Sequence, residues 1–126
     1  MTDITITSEV QRATRIRCID QKGEGGAHHH YIVGPVGEIS TEDDTFALIC
    51  FQKGPIQQAG VNGCTNEDLL EIVYHRLECF QAGSHPCDEN QHAMVHILEA
   101  LRLLYQRTAA RRAQGVEGTD QHRKKE

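Results

Sequence analysis

The stretch that decides the fold is residues 65–113, TNEDLLEIVYHRLECFQAGSHPCDENQHAMVHILEALRLLYQRTAARRA. Thr65 precedes Glu67 and Asp68, which is the pattern of a helix N-cap followed by first-turn carboxylates that suit the helix dipole. Apolar residues then recur at three- and four-residue spacing, namely Leu69, Leu70, Val73, Leu77 and Phe80. The sequence therefore predicts an amphipathic helix that ends at Gly83.

A second amphipathic helix is predicted from about Asp88 to about Ala113. Its apolar stripe consists of Met94, Ile97, Leu98, Leu101, Leu104 and Tyr105. Only residues 84–87 connect the two helices, and a short loop between two long helices forces them to pack as an antiparallel hairpin.

Before Gly60 the pattern changes to short runs that are apolar or β-branched. Three such runs are Ile16–Ile19, His30–Val33 and Phe46–Phe51, and glycine-rich or acidic turns separate them. We therefore predict three or four short antiparallel strands. The expected fold class is α+β, with a small N-terminal antiparallel β-sheet followed by the two-helix hairpin. The domain assignment is a β-rich part at 1–60, a helical hairpin at 61–119 and a disordered tail at 120–126.

The composition indicates a thin hydrophobic core. The 126 residues include 38% hydrophobic residues, three Phe, three Tyr and no Trp. Assembly as a dimer or higher oligomer is therefore expected, because it would bury apolar surface that one chain leaves exposed. The net charge of −5 gives the molecule as a whole no attraction for DNA, so any anion-binding site must be local.

Several classes of protein find no support in the sequence. The five cysteines are odd in number and never spaced C-x-x-C, so neither a disulfide framework nor a zinc ribbon is indicated. No apolar run reaches the roughly 20 residues of a membrane span, and no signal peptide is recognisable, so a soluble, intracellular protein is expected. The glycines follow no dinucleotide-binding or P-loop order. We expect neither catalytic residues nor a cofactor.

The histidine run His28–His30 is the first candidate site. Consecutive side chains of a strand alternate between its faces, so at most His28 and His30 could share a metal. No carboxylate or cysteine lies at a helpful spacing in the sequence. A solvated or structural role is therefore favoured over a metal site.

The basic end of the second helix is the more informative candidate. Cations in a last helical turn are stabilising and common, which is the simple interpretation of Arg107, Arg111 and Arg112. On a helical wheel, however, Arg107 and Arg111 flank the apolar stripe and are neighbours four residues apart, whereas Arg112 points elsewhere. Two adjacent guanidinium groups beside an apolar surface suit a phosphate or pyrophosphate.

Phe80 and Asn90 are candidates at the other end of the hairpin. An aromatic face with a carboxamide is a plausible pair for recognising a base, although a single Asn on an apolar stripe is often only a helix-end or register feature. Asn90 and Arg107 lie about 26 Å apart on one helix. A small ligand that touches both must therefore lie between two chains, and antiparallel pairing of two hairpins would create two identical sites.

A resemblance to a known family rests on residues 87–119, CDENQHAMVHILEALRLLYQRTAARRAQGVEGT. This stretch resembles a family of phage-encoded hairpin proteins that counter the Thoeris and CBASS immune systems of bacteria. The shared features are an E-N start, a helix rich in Ala and Leu, an R-T-x-x-R pair and a closing G-V-E-G-T. The β-rich N-terminal part and residues 60–83, GVNGCTNEDLLEIVYHRLECFQAG, make the chain more similar to the Thoeris branch.

This resemblance implies a protein that acts as a sponge in the cytoplasm of the infected bacterium. It would bind a cyclic ADP-ribose isomer between subunits of a dimer or hexamer, without cleaving it and without a metal. The implied ligand contacts are Phe80, Asn90, Arg107 and Arg111. Alternatives that stay open are a sponge for the cyclic di- or trinucleotides of CBASS, a hydrolase of the same signals, and a hairpin adaptor that binds another protein.

Overall fold

A computed structural model of the chain describes residues 2–4, 12–37 and 45–113. These residues form two compact units. The first contains the residues up to 54 together with 59–64, and the second contains 55–58 and the residues from 65 onward. The predicted disordered tail at 120–126 lies outside the described residues.

The first unit is built on a four-stranded antiparallel sheet. Its strands are β1 (Thr2–Ile4), β2 (Thr14–Cys18), β3 (His30–Pro35) and β4 (Ala47–Cys50), and they pair in sequence order. A short 3-10 helix, Glu24–Gly26, lies between β2 and β3. The predicted α+β fold class is confirmed. Strand β1 lies outside the three runs that the sequence analysis singled out.

The register of the sheet aligns a row of apolar side chains on one of its faces. Cys18 pairs with Tyr31, and Tyr31 pairs with Ile49. Cys18 is fully buried, and the rings of Tyr31 and Phe51 pack edge to face with their centroids 5.7 Å apart. Directly opposed residues on neighbouring strands lie within contact distance, so the side chains of this row pack against one another.

A tight crossing closes the first unit beyond β4. The N–H of Cys64 donates to the carbonyl of Cys50 at 2.9 Å, and the N–H of Gln52 donates to the carbonyl of Cys64 at 2.9 Å. A Cβ atom at Gly63 would lie 2.4 Å from the carbonyl carbon of Phe51. Glycine is therefore required at this position by close approach of two backbones.

The hairpin unit begins with a capped helix. After the short helix α1 (Ile56–Ala59), helix α2 spans Asn66–Ala82. The hydroxyl of Thr65 accepts a hydrogen bond from the N–H of Asp68 at 3.2 Å, and the Asp68 carboxylate accepts one from the N–H of Thr65 at 2.9 Å. This reciprocal capping box confirms the predicted start of the helix.

Helix α3 spans Asp88–Ala113, so the predicted second helix and its start are also confirmed. The side chain of Gln81 closes the connection between the two long helices. It accepts a hydrogen bond from the N–H of Cys87 at 2.9 Å and donates one to the carbonyl of Cys87 at 3.0 Å. None of the described helices is long and apolar enough to cross a membrane.

The core of the hairpin is small. Within the described part of α2 and α3, only Met94 and Leu101 are buried. Large apolar side chains remain exposed along both helices, namely Ile72, Val73, Phe80, Val95, Leu98, Leu103 and Tyr105. Such a surface is typical of a protein that associates with something else. Assembly of the chain into oligomers stays a prediction.

Candidate ligand-binding site

The four predicted contact residues lie at the two ends of the hairpin. Phe80 is in the last turn of α2 and is 43% exposed, while Asn90 is half-buried in the first turn of α3. Arg107 is exposed and Arg111 is half-buried, both near the end of α3. Because α3 is continuous from Asn90 to Arg107, their separation of about 26 Å stands. The structure does not bring the two ends together within one chain.

A contact between the helices shows which of their flanks face the same way. The Glu71 carboxylate of α2 lies close enough to the Tyr105 hydroxyl of α3 to raise its pKa. At about 100° per residue, Phe80 lies about 180° from Glu71 around α2, and Arg107 lies about 200° from Tyr105 around α3. Phe80 and Arg107 therefore share the side of the hairpin that faces away from this contact.

The same turn angle places Val73 and Leu103 on that side as well. We call the surface formed by Val73, Phe80, Leu103 and Arg107 the Phe80 side. Val73 is 45% exposed and Leu103 is 52% exposed. The Phe80 side is thus an open apolar strip with an aromatic ring near one end and a guanidinium near the other.

The opposite side of the hairpin is acidic near the start of α2. Partial burial raises the pKa of Tyr105, and the nearby carboxylates of Glu71, Glu67 and Asp68 raise it further. Farther around α3, Arg102 donates to the Glu99 carboxylate. This hydrogen bond lowers the pKa of Glu99. Arg102 is therefore engaged by a carboxylate.

Arg76 is a cation near Phe80 that the sequence analysis missed. Its guanidinium carbon lies 5.2 Å from the centroid of the Phe80 ring, within the range of a cation–π contact. The two residues are four apart on α2, and neighbours at that spacing meet on a helix surface. This four-residue spacing in the sequence could have predicted the contact between Arg76 and Phe80. The aromatic end of the hairpin therefore carries a cation of its own.

The histidine run differs from its prediction in one respect. A carboxylate does approach it, because strand pairing brings Asp20 beside all three histidines. The N–H groups of His29 and His30 donate to the Asp20 carboxylate at 2.9 and 3.3 Å, and the Nδ1 atom of His28 lies 2.8 Å from the Asp20 backbone carbonyl oxygen. The sequence spacing did not reveal this carboxylate, since separation along the chain does not measure distance across a sheet. Among the described residues no group of three or more side chains is arranged to hold a metal ion.

Asp20 is expected to stabilise the first unit in a pH-dependent way. Partial burial alone raises the pKa of its carboxyl, but the hydrogen bonds from His29 and His30 outweigh burial and lower the pKa to about 2 from 3.8. A lowered folded-state pKa gives stability that is complete above the unfolded-state value and is lost as the pH falls through the folded-state value. Asp20→Asn should therefore flatten the decline of the melting temperature between pH 3.8 and about 2.

Thermal unfolding at a series of pH values in that window measures this effect. Glu24→Gln is the matched control, because Glu24 is an exposed acid of the neighbouring 3-10 helix. The control should keep the acid dependence of the unmodified chain. An Asp20→Asn variant with that same acid dependence would show that the carboxylate does not have this role.

Two comparisons with known proteins bear on these residues. Residues 43–109 match the family model described as the Acb2/Tad1 hairpin domain. The chain is also similar to "Thoeris anti-defense 1" of Bacillus phage SBSphiJ7, with 37% identity over 117 residues that cover 78% of this chain and 82% of that protein. The matched range includes Phe80, Asn90 and Arg107.

Proposed function

The chain belongs to the Acb2/Tad1 hairpin family, and on this premise we propose that it is a phage anti-defence protein directed against Thoeris immunity. It acts by binding a cyclic ADP-ribose-type signal and holding it uncleaved, in the cytoplasm of the infected bacterium. The name of the similar Bacillus phage protein supports its anti-Thoeris function. The mechanism is what the family resemblance implies, and the geometry of the hairpin supports it.

The observation that carries this mechanism is the Phe80 side. It places an aromatic ring and an arginine on the same open surface of the hairpin but at opposite ends. Two such surfaces that meet antiparallel would bring Phe80 and Asn90 of one chain beside Arg107 and Arg111 of the other. Each twofold-related pocket would then offer a stacking surface, a carboxamide and two guanidinium groups.

This combination of groups matches the chemistry of a cyclic ADP-ribose. An adenine base stacks on an aromatic ring, an amide recognises hydrogen-bonding edges, and a pyrophosphate binds adjacent guanidinium groups in a bidentate way. Closing two chains around the ligand also removes it from water. Strong binding of a small ligand requires such burial in a preformed pocket.

A sponge must bind its ligand tightly because it does not convert the ligand into a product. It competes with the receptor of the signal by mass action, which calls for a dissociation constant in the nanomolar range, or about −12 kcal/mol. A hydrolase of the same signal has no such requirement. The two functions therefore differ in what happens to the ligand.

The proposal predicts that the ligand is recovered intact. The protein is incubated with each of a panel of cyclic ADP-ribose isomers and cyclic oligonucleotides, then denatured, and the small molecules are identified by mass spectrometry. We expect the unchanged isomer to be released. A cleaved product would identify a hydrolase, and preferential release of a cyclic di- or trinucleotide would indicate a CBASS sponge.

The same panel is tested by thermal unfolding. A ligand at 100 times its dissociation constant should stabilise the chain by about 2.7 kcal/mol, which for a domain of this size raises the melting temperature by on the order of 10 °C. A protein-binding adaptor would show no shift with any member of the panel.

A further inference from the structure

The pair formed by Arg76 and Phe80 has the components of a binding site within a single hairpin. Arg76 is exposed, and its guanidinium carbon lies 5.2 Å from the Phe80 ring centroid. Val73 lies three residues before Arg76 on the same strip of α2 and is 45% exposed. An aromatic surface, an aliphatic neighbour and a cation are therefore contiguous on one rigid helix.

The charge of Arg76 is not neutralised nearby. Among the described residues, the structure gives Arg76 no carboxylate partner, whereas Arg102 is paired with Glu99 and Arg17 with Asp3. A guanidinium that lies over a ring keeps its N–H groups at its edges, where they can donate to an anion. The contact with Phe80 holds the cation beside the stacking surface without occupying its hydrogen-bond donors.

We propose that Arg76 and Phe80 together bind a phosphate-bearing purine nucleotide within one hairpin. The base stacks on the exposed part of the Phe80 ring, and Arg76 donates hydrogen bonds to the phosphate. A nucleoside monophosphate carries its base and its phosphate on either side of one ribose, so both groups can reach the pair at once. The choice of ligand class rests on the proposed function.

This inference assigns different parts of the ligand to the two halves of the larger site. The aromatic half is a small nucleotide site in its own right. The partner's arginine end is needed for the second phosphate and for closing the pocket. A mononucleotide should therefore bind without Arg107 or Arg111, whereas a pyrophosphate-bearing ring needs both halves.

Adenosine monophosphate is the probe that tests this inference, with the full chain and titrations followed by NMR or calorimetry. We expect weak, saturable binding to the unmodified protein. Arg76→Ala should weaken it at least about tenfold, because a charge-assisted pair is lost. Phe80→Ala should abolish it. Arg102→Ala should leave it unchanged.

The salt dependence separates binding by Arg76 from mere positioning of Phe80. Adenosine monophosphate binding to the unmodified chain should weaken with rising salt, and Arg76→Ala should remove most of that dependence. Undetectable binding, an Arg76→Ala variant that binds as well as the unmodified chain, or unaltered salt dependence in that variant would overturn the inference.

The larger function is judged by a different ligand. If no cyclic ADP-ribose isomer binds but Arg76→Ala still abolishes adenosine monophosphate binding, the proposed function fails and this site stands. If an isomer binds tightly but Arg76→Ala leaves adenosine monophosphate binding unchanged, the proposed function stands and the site at Arg76 and Phe80 fails.

Discussion

Replacing Arg107 with alanine is expected to weaken binding of a cyclic ADP-ribose isomer by about 2–3 kcal/mol, or roughly 30- to 150-fold in dissociation constant. The substitution removes a guanidinium that would pair with the ligand's pyrophosphate. Arg107 is exposed, so the stability of the chain itself should change by no more than about 0.5 kcal/mol. Calorimetric titration of the variant with the isomer measures the loss, and circular dichroism checks the fold.

Arg112→Ala is the matched control for Arg107→Ala. Arg112 is an exposed arginine of the same last turns of α3, but it lies within about 20° of Tyr105 around the helix and therefore faces away from the Phe80 side. The Arg112→Ala variant should bind the isomer as tightly as the unmodified chain does. Equal losses at Arg107 and Arg112 would point to a general electrostatic effect, and an undiminished Arg107→Ala variant would remove the pyrophosphate assignment.

Arg111→Ala should weaken binding similarly, but its result is less direct. Arg111 is half-buried and already takes part in an interaction within the chain. Its removal therefore changes the helix end as well as the pocket. The comparison of Arg107 with Arg112 is the cleaner measure of the charge.

The helical hairpin could be predicted from sequence because its signals are local. Thr65 and Asp68 form their capping box within one turn, and Gly83 follows the last residue of α2. The apolar spacing that continues to Leu104 then specifies two helices with a short connection between them. Each of these features depends on residues fewer than five positions apart, which is the range over which helix geometry acts.

What could not be predicted depends on contacts between distant segments. The carboxylate of Asp20 approaches His29 and His30 only because β2 and β3 pair, and a sequence offers no distance across a sheet. The common side of Phe80 and Arg107 became apparent only through the contact between Glu71 and Tyr105. Arg76 is a different case, since its spacing from Phe80 was available, but an exposed arginine in mid-helix is usually only a solvated charge.

Mixing two variants that each bind the isomer weakly is expected to restore tight binding if each pocket takes its halves from two chains. Phe80→Ala destroys the aromatic half of both pockets in its own dimer, and Arg107→Ala destroys the arginine half. A mixed dimer then contains one pocket with both defects and one pocket with neither. Tight binding should therefore reappear in a mixture of two proteins that both lack it alone.

The number of tight binding sites restored in the mixture can be calculated. With equal concentrations and random exchange of chains, about half of the dimers are mixed, and one of the two pockets in each is intact. The titration should then show about a quarter of the sites per chain of the unmodified protein, with an unchanged dissociation constant. This ratio distinguishes restored pockets from a general gain in affinity.

The control for this experiment is a mixture of two variants with defects in the same half. Phe80→Ala and Asn90→Ala both damage the aromatic end, so each of the two pockets in their mixed dimers carries one defect and neither pocket is intact. No tight sites should appear. If Phe80→Ala and Arg107→Ala also fail to restore binding after chains have been shown to exchange, the two ends of the hairpin do not meet across a twofold axis. The aromatic and arginine ends would then belong to separate sites, because α3 holds them too far apart for one small ligand within a single chain.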